Sequence, residues 1–296
     1  MKKTEIILGG GIAGLLWHYF NPKSVIITDR IGGQFLTKFQ LGPKYIHIDK
    51  YTTRFFKEID LKPNIKKIKI GFFYDGKLHS KNTEKNRKKY FEKTRGNIKE
   101  IYYSAMSADK TEFDSYDISI NKIIEKIKIE DRVLLEKVNN INLENKKIIT
   151  NSTEITFDKL VSTIPLNTFL YLADRSNITN QFKSYPTTFV LSSNYKNCPF
   201  NDFKDFDYVY FSEEKYPFHR ITKTEKGLVF EFKGDVIYPI INEKDRIIMK
   251  VGQLIQNDLN INFENVNFFG RYGCWKHKIK INDLLKELYE NTKKNI

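Results

Sequence analysis

Apolar positions along this chain fall into two periods. Residues 4–8 and 24–28 are short, β-branched runs with little alternation, and such runs predict strands buried on both faces. Between them the spacing turns helical from Ile12 and stops before Asn21-Pro22, because proline cannot continue a helix. A short extended piece is expected at 45–48 and a helix at 51–59. Residues 67–73 alternate and lead into Asp75-Gly76, a hairpin turn signal, before Lys77-Leu78-His79. Helical spacing returns at 83–94 and 118–129. Two strands are expected at 132–138 and 146–149, and another at 160–163, which Pro165 ends ahead of a helix at 167–173. The stretch 185–232 is β-rich, with strands at 187–191, 208–211 and 228–232 separated by polar turns, as in a small antiparallel sheet. A last strand at 266–269 and an amphipathic helix at 281–292 close the chain. The pattern predicts an α/β protein with neither internal repeat nor long linker.

The turn after the first strand carries chemistry. Ile6-Ile7-Leu8-Gly9-Gly10-Gly11-Ile12-Ala13-Gly14 places glycines at the spacing of a dinucleotide fingerprint, and Asp29 ends the second apolar run twenty residues after Gly9. Gly9 permits the tight turn, Gly11 lets a pyrophosphate approach the backbone, and Gly14 lets helix and strand pack closely. The N–H groups that open the helix, at Ile12 and Ala13, hold phosphate through the positive end of its dipole. Asp29 is placed to accept hydrogen bonds from a ribose hydroxyl.

Composition narrows the class. The chain has 296 residues, 40% of them hydrophobic, enough for one substantial core or two modest ones. The two cysteines, Cys198 and Cys274, are far apart and form no C-x-x-C pair, which argues against a disulfide framework or a zinc site and fits a reducing cytoplasm. Lys2-Lys3 and the apolar stretch after them resemble a signal peptide, but the glycine spacing accounts for that stretch. No run approaches the roughly 18 apolar residues that span a bilayer. A cytoplasmic, non-membrane protein is the expectation. The net charge of +14 is uneven, with nine Lys or Arg against two Glu in the window 77–99. Such a surface attracts phosphates, so a nucleic-acid or other polyanionic partner stands beside the plainer reading of solvated lysines in a Lys-, Asn- and Ile-rich chain.

Short motifs recur in order along the chain. Asp29-Arg30-Ile31-Gly32-Gly33-Gln34 resembles the D-R-x-G-G-R/Q extension of the FAD-dependent amine oxidase, protoporphyrinogen oxidase and UDP-galactopyranose mutase superfamily. Leu41-Gly42-Pro43-Lys44-Tyr45-Ile46-His47 is similar to the mutases' G-x-H-x-F-H segment, with His47 on the second histidine. Asp158 to Leu166 resembles D-x-V-I-S-T-I-P-L, including Thr163, and Pro217-Phe218-His219-Arg220-Ile221 resembles P-x-x-R-I. Tyr238-Pro239-Ile240 matches Y-P-I, and Gly270-Arg271-Tyr272-Gly273-Cys274-Trp275-Lys276 the closing G-R-x-x-x-[YW]-K. There are departures. Gln34 replaces the usual Arg, Lys44 stands at the first mutase histidine, Ile279 stands at the last motif's acid, and the lysine that monoamine oxidases place beside the flavin is absent from 187–195.

The resemblance implies FAD and a Rossmann-like, glutathione-reductase-type FAD-binding domain with an interleaved smaller α+β substrate domain. Residues 1–50, 130–175 and 235–296 are assigned to the former, and 51–129 and 176–234 to the substrate or cap unit. It places Gly9, Gly11, Ile12, Ala13, Gly14, Asp29, Arg30, Gly32, Gly33, Gln34, Val138 (beside adenine), Thr163, Gly270 and Arg271 on the cofactor. His47 is the candidate for contact with the flavin ring, and Arg220 the candidate grip on a substrate carboxylate or phosphate, since a guanidinium binds either bidentately. Both are the catalytic candidates. Tyr185, Arg220, Tyr238 and Trp275 are the candidate substrate contacts, weighed against packing or ion-pair roles. The leading expectation is an FAD-dependent oxidoreductase acting on a C–N or C–C bond of a small molecule, with anionic molecules among the candidates. A mutase-like, non-redox enzyme acting on a nucleotide-sugar, a flavoprotein acting on nucleic acid and a non-catalytic FAD scaffold are the alternatives.

Overall fold

Alternating β-branched runs and amphipathic helices build a parallel sheet with a helical layer against it, while the β-rich middle builds a second, larger sheet. The computed structural model describes residues 4–33, 37–41, 45–95, 111–127, 129, 132–192, 203, 205–235, 245–255 and 259–294. The chain begins with β1 (Glu5–Gly10), α1 (Ile12–Phe20), β2 (Val25–Ile31), β3 (Ile46–His47), α2 (Lys50–Glu58), β4 (Asn64–Tyr74), β5 (Lys77–His79) and α3 (Glu84–Arg95). It continues through β6 (Glu112–Asp117), α4 (Ile120–Ile127), β7 (Val133–Leu135), β8 (Val138–Asn142), β9 (Lys147–Thr150), β10 (Glu154–Thr156) and β11 (Lys159–Ser162). Then come α5 (Leu166–Leu172), α6 (Ser176–Thr179), β12 (Ser184–Ser192), β13 (Tyr208–Phe211), β14 (Phe218–Thr224) and β15 (Gly227–Lys233). The last elements are β16 (Arg246–Leu254), β17 (Val266–Phe268), α7 (Gly270–Gly273) and α8 (Ile281–Lys294). No helix among the described residues is long and apolar enough to cross a membrane.

The parallel sheet has the order β17-β11-β1-β2-β7. Its strands divide their side chains between two cores, as the period of a strand requires. Ile7, Ile26 and Val161 face one side, with Leu15, Phe55, Phe56, Ile123, Ile127, Leu284 and Leu285. Ile6, Leu8, Ile27 and Leu160 face the other, with Ile141, Ile148, Phe169, Leu170 and Trp275. Fully burying each such side chain contributes roughly 1.5–3 kcal/mol. Helices α2 and α4, assigned from sequence to the substrate unit, therefore pack into the same core as α1 and α8. The four-residue spacing of Phe55 and Ile59, and of Ile123 and Ile127, makes stripes that fit this helical layer.

The single strand expected at 132–138 divides. β7 joins the parallel sheet beside β2, a tight turn with Glu136 N–H donating to the Leu134 carbonyl follows, and β8 begins a separate antiparallel meander, β8-β9-β10. The larger sheet has nine strands along the order β16-β12-β15-β14-β13-β4-β6-β3, with β5 paired to β4. It is wider than the small antiparallel sheet expected, and β13 and β4 run parallel. β3 and β16 also belong to it, across the boundaries drawn at 50 and 235.

A β-bulge fixes the polar centre of this sheet. Phe218 faces Phe232 and Arg220 faces Glu231, so His219 is the extra residue. A bulge brings consecutive side chains to bear on one partner. Here His219 Nε2 lies 3.1 Å from Glu231 Oε1 while Arg220 Nε donates to Glu231 Oε2 at 2.8 Å and its Nη2 donates to the same oxygen. Burial alone would push the Glu231 carboxyl up, but Arg220 and His219 pull it down to about 2. Beside this centre, Lys93 of α3 turns inward. Its ammonium donates to the carbonyls of Phe211 (3.1 Å), Glu213 (2.8 Å) and Phe218 (2.8 Å), tying the connection between β13 and β14. Burial pushes Lys93 down to about 8. Lys77, Lys81, Lys85, Lys88 and Lys89 of the same basic window are exposed.

Two outcomes test this packing. The Glu231 carboxyl titrates at about 2 in the fold and at 4.5 when unfolded. Its contribution is therefore complete above pH 4.5 and is lost as pH falls toward 2. Glu231→Gln leaves Arg220 buried without its counter-charge and should cost about 3–5 kcal/mol in urea unfolding at pH 7. The gap from wild type should close as acid protonates Glu231, and a gap constant down to pH 2 contradicts the pairing. Lys93→Met keeps the aliphatic stem but strands three carbonyls, and should lower unfolding free energy by about 2 kcal/mol. Unchanged stability would remove the clamp.

Candidate functional site

Four chain segments converge where β1 gives way to α1. Gly14 sits directly on the turn, since a Cβ at this position would lie 2.0 Å from the Gly9 carbonyl oxygen. Gly10 accepts the Gly32 N–H at 2.7 Å, and Gly33 approaches Gly11 so closely that its Cβ would lie 3.2 Å from the Gly11 Cα. Thr163 donates its N–H and its hydroxyl to the Leu8 carbonyl at 3.0 and 2.8 Å, buttressing the turn from β11. From the end of the chain Gly270 arrives with φ of 83°, and a Cβ there would lie 2.7 Å from that of Ala13. Any other residue would be strained and would push α7 away from α1.

Among the described residues, nothing fills the middle of this cleft. A Cβ on Gly11 would meet nothing within 4 Å. Gly11 caps α1 without a side-chain hydrogen bond, and the first turn contains no acid. The leading N–H groups, at Ile12, Ala13 and Gly14, have no acceptor inside the helix, so they present positive potential to the cleft. Asp29 and Arg30 are exposed toward the end of β2, on the segment that returns to Gly11 through Gly32 and Gly33. A backbone cradle that no described residue fills, with the exposed Asp29 carboxylate on the neighbouring strand, suits a diphosphate carrying a ribose. Val138 is half-buried and opens β8 opposite Thr150, rather than ending a parallel strand. Gln34 and Tyr238 lie outside the described residues.

His47 and Lys280 meet beyond Gly270. The His47 ring stacks on Phe113 and meets Tyr45 edge-on, with both centroids 5.4 Å away. Its Nε2 is 2.9 Å from Lys280 Nζ. Burial and then Lys280 hold the imidazole below its ordinary range, partly offset by Asp283 and Asp49. Arg271 donates through Nε and Nη2 to the Ile279 carbonyl, at 3.3 and 3.2 Å, which fixes the turn ahead of Lys280. Lys280 was not a sequence candidate, and its partner is 233 positions away.

A row of hydroxyls runs from His47 across the large sheet. Tyr45 and Tyr208 share a hydrogen bond at 3.2 Å, and the Arg220 guanidinium carbon is 5.7 Å from the centre of the Tyr210 ring. Burial pushes both the Tyr208 and the Tyr210 phenol well up, so they remain donors. Tyr210, Arg220 and Glu231 are register partners and so share one face. Next to them Phe39, Phe189 and Val229 form an apolar wall with Leu41, Leu191, Ile247 and Met249.

The structure revises the reading of Arg220 and Trp275. Arg220 is committed to Glu231, so it carries no surplus charge toward an anion; its role as a free grip is corrected to that of a paired charge. The signal was a glutamate inside the apolar run Leu228-Val229-Phe230-Glu231-Phe232. Trp275 is core: it is 3% exposed, its indole N–H donates to the Ile255 carbonyl at 2.9 Å, and it meets Phe182 edge-on. Tyr185 lies on β12 opposite Gln253, with the Lys233 ammonium 4.3 Å from its ring centre and several residues along the strand from the Arg220 level. The nearby Cys274 donates its thiol to the Phe268 carbonyl, and burial pushes it up to about 11, so it is not a nucleophile.

No protein-family model matches the chain, and no curated protein matches it. Solved structures do. Reduced UDP-galactopyranose mutase superposes with a TM-score of 0.68 at 13% identity, covering 100% of this chain and 96% of that one. A CLA-producing fatty acid isomerase from P. acnes gives 0.57 at 12% identity, with 81% and 78% covered. Cyclohexylamine oxidase from Brevibacterium oxydans gives 0.53 at 8% identity, with 78% and 75% covered. At these identities the likeness is one of architecture: the chain shares the fold of these structures.

Proposed function

We propose that this chain binds FAD in a glutathione-reductase-type nucleotide-binding unit and is an FAD-dependent oxidoreductase acting on a C–N or C–C bond of a small molecule. The observation that carries this reading is the open backbone cradle at Gly11, ringed by Gly14, Gly33, Thr163 and Gly270. The N–H groups of Ile12 and Ala13 would hold the diphosphate, and Asp29 a ribose. When bound, the flavin supplies a two-electron acceptor for hydride, so the chain itself needs only to bind, orient and exclude water.

Tyr208 and Tyr210 are buried with Ile70, Phe72, Tyr90 and Phe91, and Phe39, Phe189 and Val229 are buried beside them, so of the three tyrosines only Tyr45 is partly exposed. The Arg220–Glu231 pair between them is balanced. With Arg220 paired to Glu231, an anionic substrate has no free guanidinium at this position to grip it. A second reading, non-redox rearrangement of a nucleotide-sugar, is favoured by the full-length superposition on the mutase. Binding of a UDP-sugar to the dithionite-reduced protein separates the two.

Gly11→Val tests the cofactor site directly. The backbone at Gly11 has φ of −74°, which any residue accepts, and nothing lies within 4 Å of the added Cβ, so the fold should persist by circular dichroism. The branched side chain would fill the diphosphate's place, and FAD affinity should fall about 100-fold, roughly 2.7 kcal/mol. Wild-type protein that stays colourless with added FAD, or a variant that binds FAD as tightly as wild type, contradicts the assignment. Bleaching of the bound flavin by an amine or an alicyclic donor then identifies the substrate class.

A further inference from the structure

The two nitrogens of His47 are held in different surroundings. Its backbone is fixed on both sides: β3 pairs with β6 at Ser115, and the His47 carbonyl accepts the Thr52 hydroxyl at 2.9 Å. The ring is held between Phe113 and Tyr45. Lys280 is equally constrained, because its backbone N–H donates to Asp283 Oδ2 at 2.9 Å and Arg271 clamps the preceding carbonyl, that of Ile279. The ammonium therefore reaches Nε2 from a fixed base.

An ammonium carries three N–H groups and no lone pair. At 2.9 Å it can only donate, so Nε2 accepts and the imidazole is neutral with its proton on Nδ1. Free neutral imidazole side chains favour the opposite tautomer, with the proton on Nε2. Nδ1 has no hydrogen-bond partner among the described residues, which leaves its N–H available.

We propose that Lys280 is a positioning residue that sets the tautomer of His47, so that His47 serves as a fixed Nδ1–H hydrogen-bond donor and not as a general base. The ligand atom it suits is an acceptor, such as a carbonyl oxygen or an unprotonated ring nitrogen. That this acceptor belongs to the flavin or to a substrate bound above it rests on the FAD reading; the tautomer does not. The groups that act on the imidazole are Lys280, Asp283 and Asp49, and of these only Lys280 touches Nε2.

Long-range ¹H–¹⁵N correlation spectra of the full chain, without and with FAD, test the proposal. The chain has five histidines, and His47→Asn identifies the His47 signals. Wild type should show the Nδ1–H pattern, Lys280→Met should convert it to Nε2–H and raise the imidazole's titration midpoint, and Lys280→Arg should preserve the wild-type pattern. Nε2–H in the wild type, or a pattern unaffected by Lys280→Met while Lys280→Arg confirms a folded protein, overturns the proposal. In protein that binds FAD, His47→Asn, whose amide donor replaces Nδ1–H, should keep the wild-type flavin spectrum, while His47→Gln, whose amide lies at the other nitrogen, should shift it. Equal spectra for the two would overturn the donor role. Failure to bind FAD with the expected tautomer intact would count against the cofactor reading alone.

Discussion

The close seating of α1 on the end of β1 is the constraint on which the rest depends. Because Gly14 has no side chain, the helix descends onto the Gly9 carbonyl until a Cβ would lie only 2.0 Å away. That contact aims the helix start at the gap between β1 and β2, and Gly11 leaves the gap clear. Gly270 then brings the C-terminal segment against Ala13, and Arg271 and Lys280 follow it toward His47. One steric allowance in the first turn thus positions residues from both ends of the chain.

The two sides of the candidate site differ in charge. The N–H groups that open α1 present positive potential to a phosphate, whereas near α8 Lys280 and Arg271 stand together with Asp283 and Asp49. Across the large sheet the strongest charges cancel, since Glu231 neutralises Arg220 and is itself shared with His219. What remains there is a set of protonated tyrosines beside an apolar wall.

How much was legible depended on distance along the chain. The glycine fingerprint, Asp29 and the short strands around them are local patterns, and the parallel sheet formed where they indicated. Pro165 marks the start of α5 because a proline's restriction is also local. Partners remote in sequence were not legible. Nothing near His47 announces Lys280, and nothing in residues 69–73 announces that β4 lies parallel to β13. β6, whose sequence is Glu-Phe-Asp-Ser-Tyr-Asp, alternates but is mostly polar, so its place between β4 and β3 is set by backbone pairing rather than by hydrophobic pattern. Trp275 shows the converse limit: an aromatic within a recognised motif was read toward the pocket, yet its ring area is satisfied in the core.

The central claim is that one FAD lies with its diphosphate against the start of α1. Calorimetric titration of FAD into flavin-free protein, followed by ³¹P NMR of the bound diphosphate, measures this most directly. The account predicts one FAD per chain and two resolved phosphorus signals displaced from those of free FAD. Absence of binding heat together with unshifted phosphorus signals would contradict it.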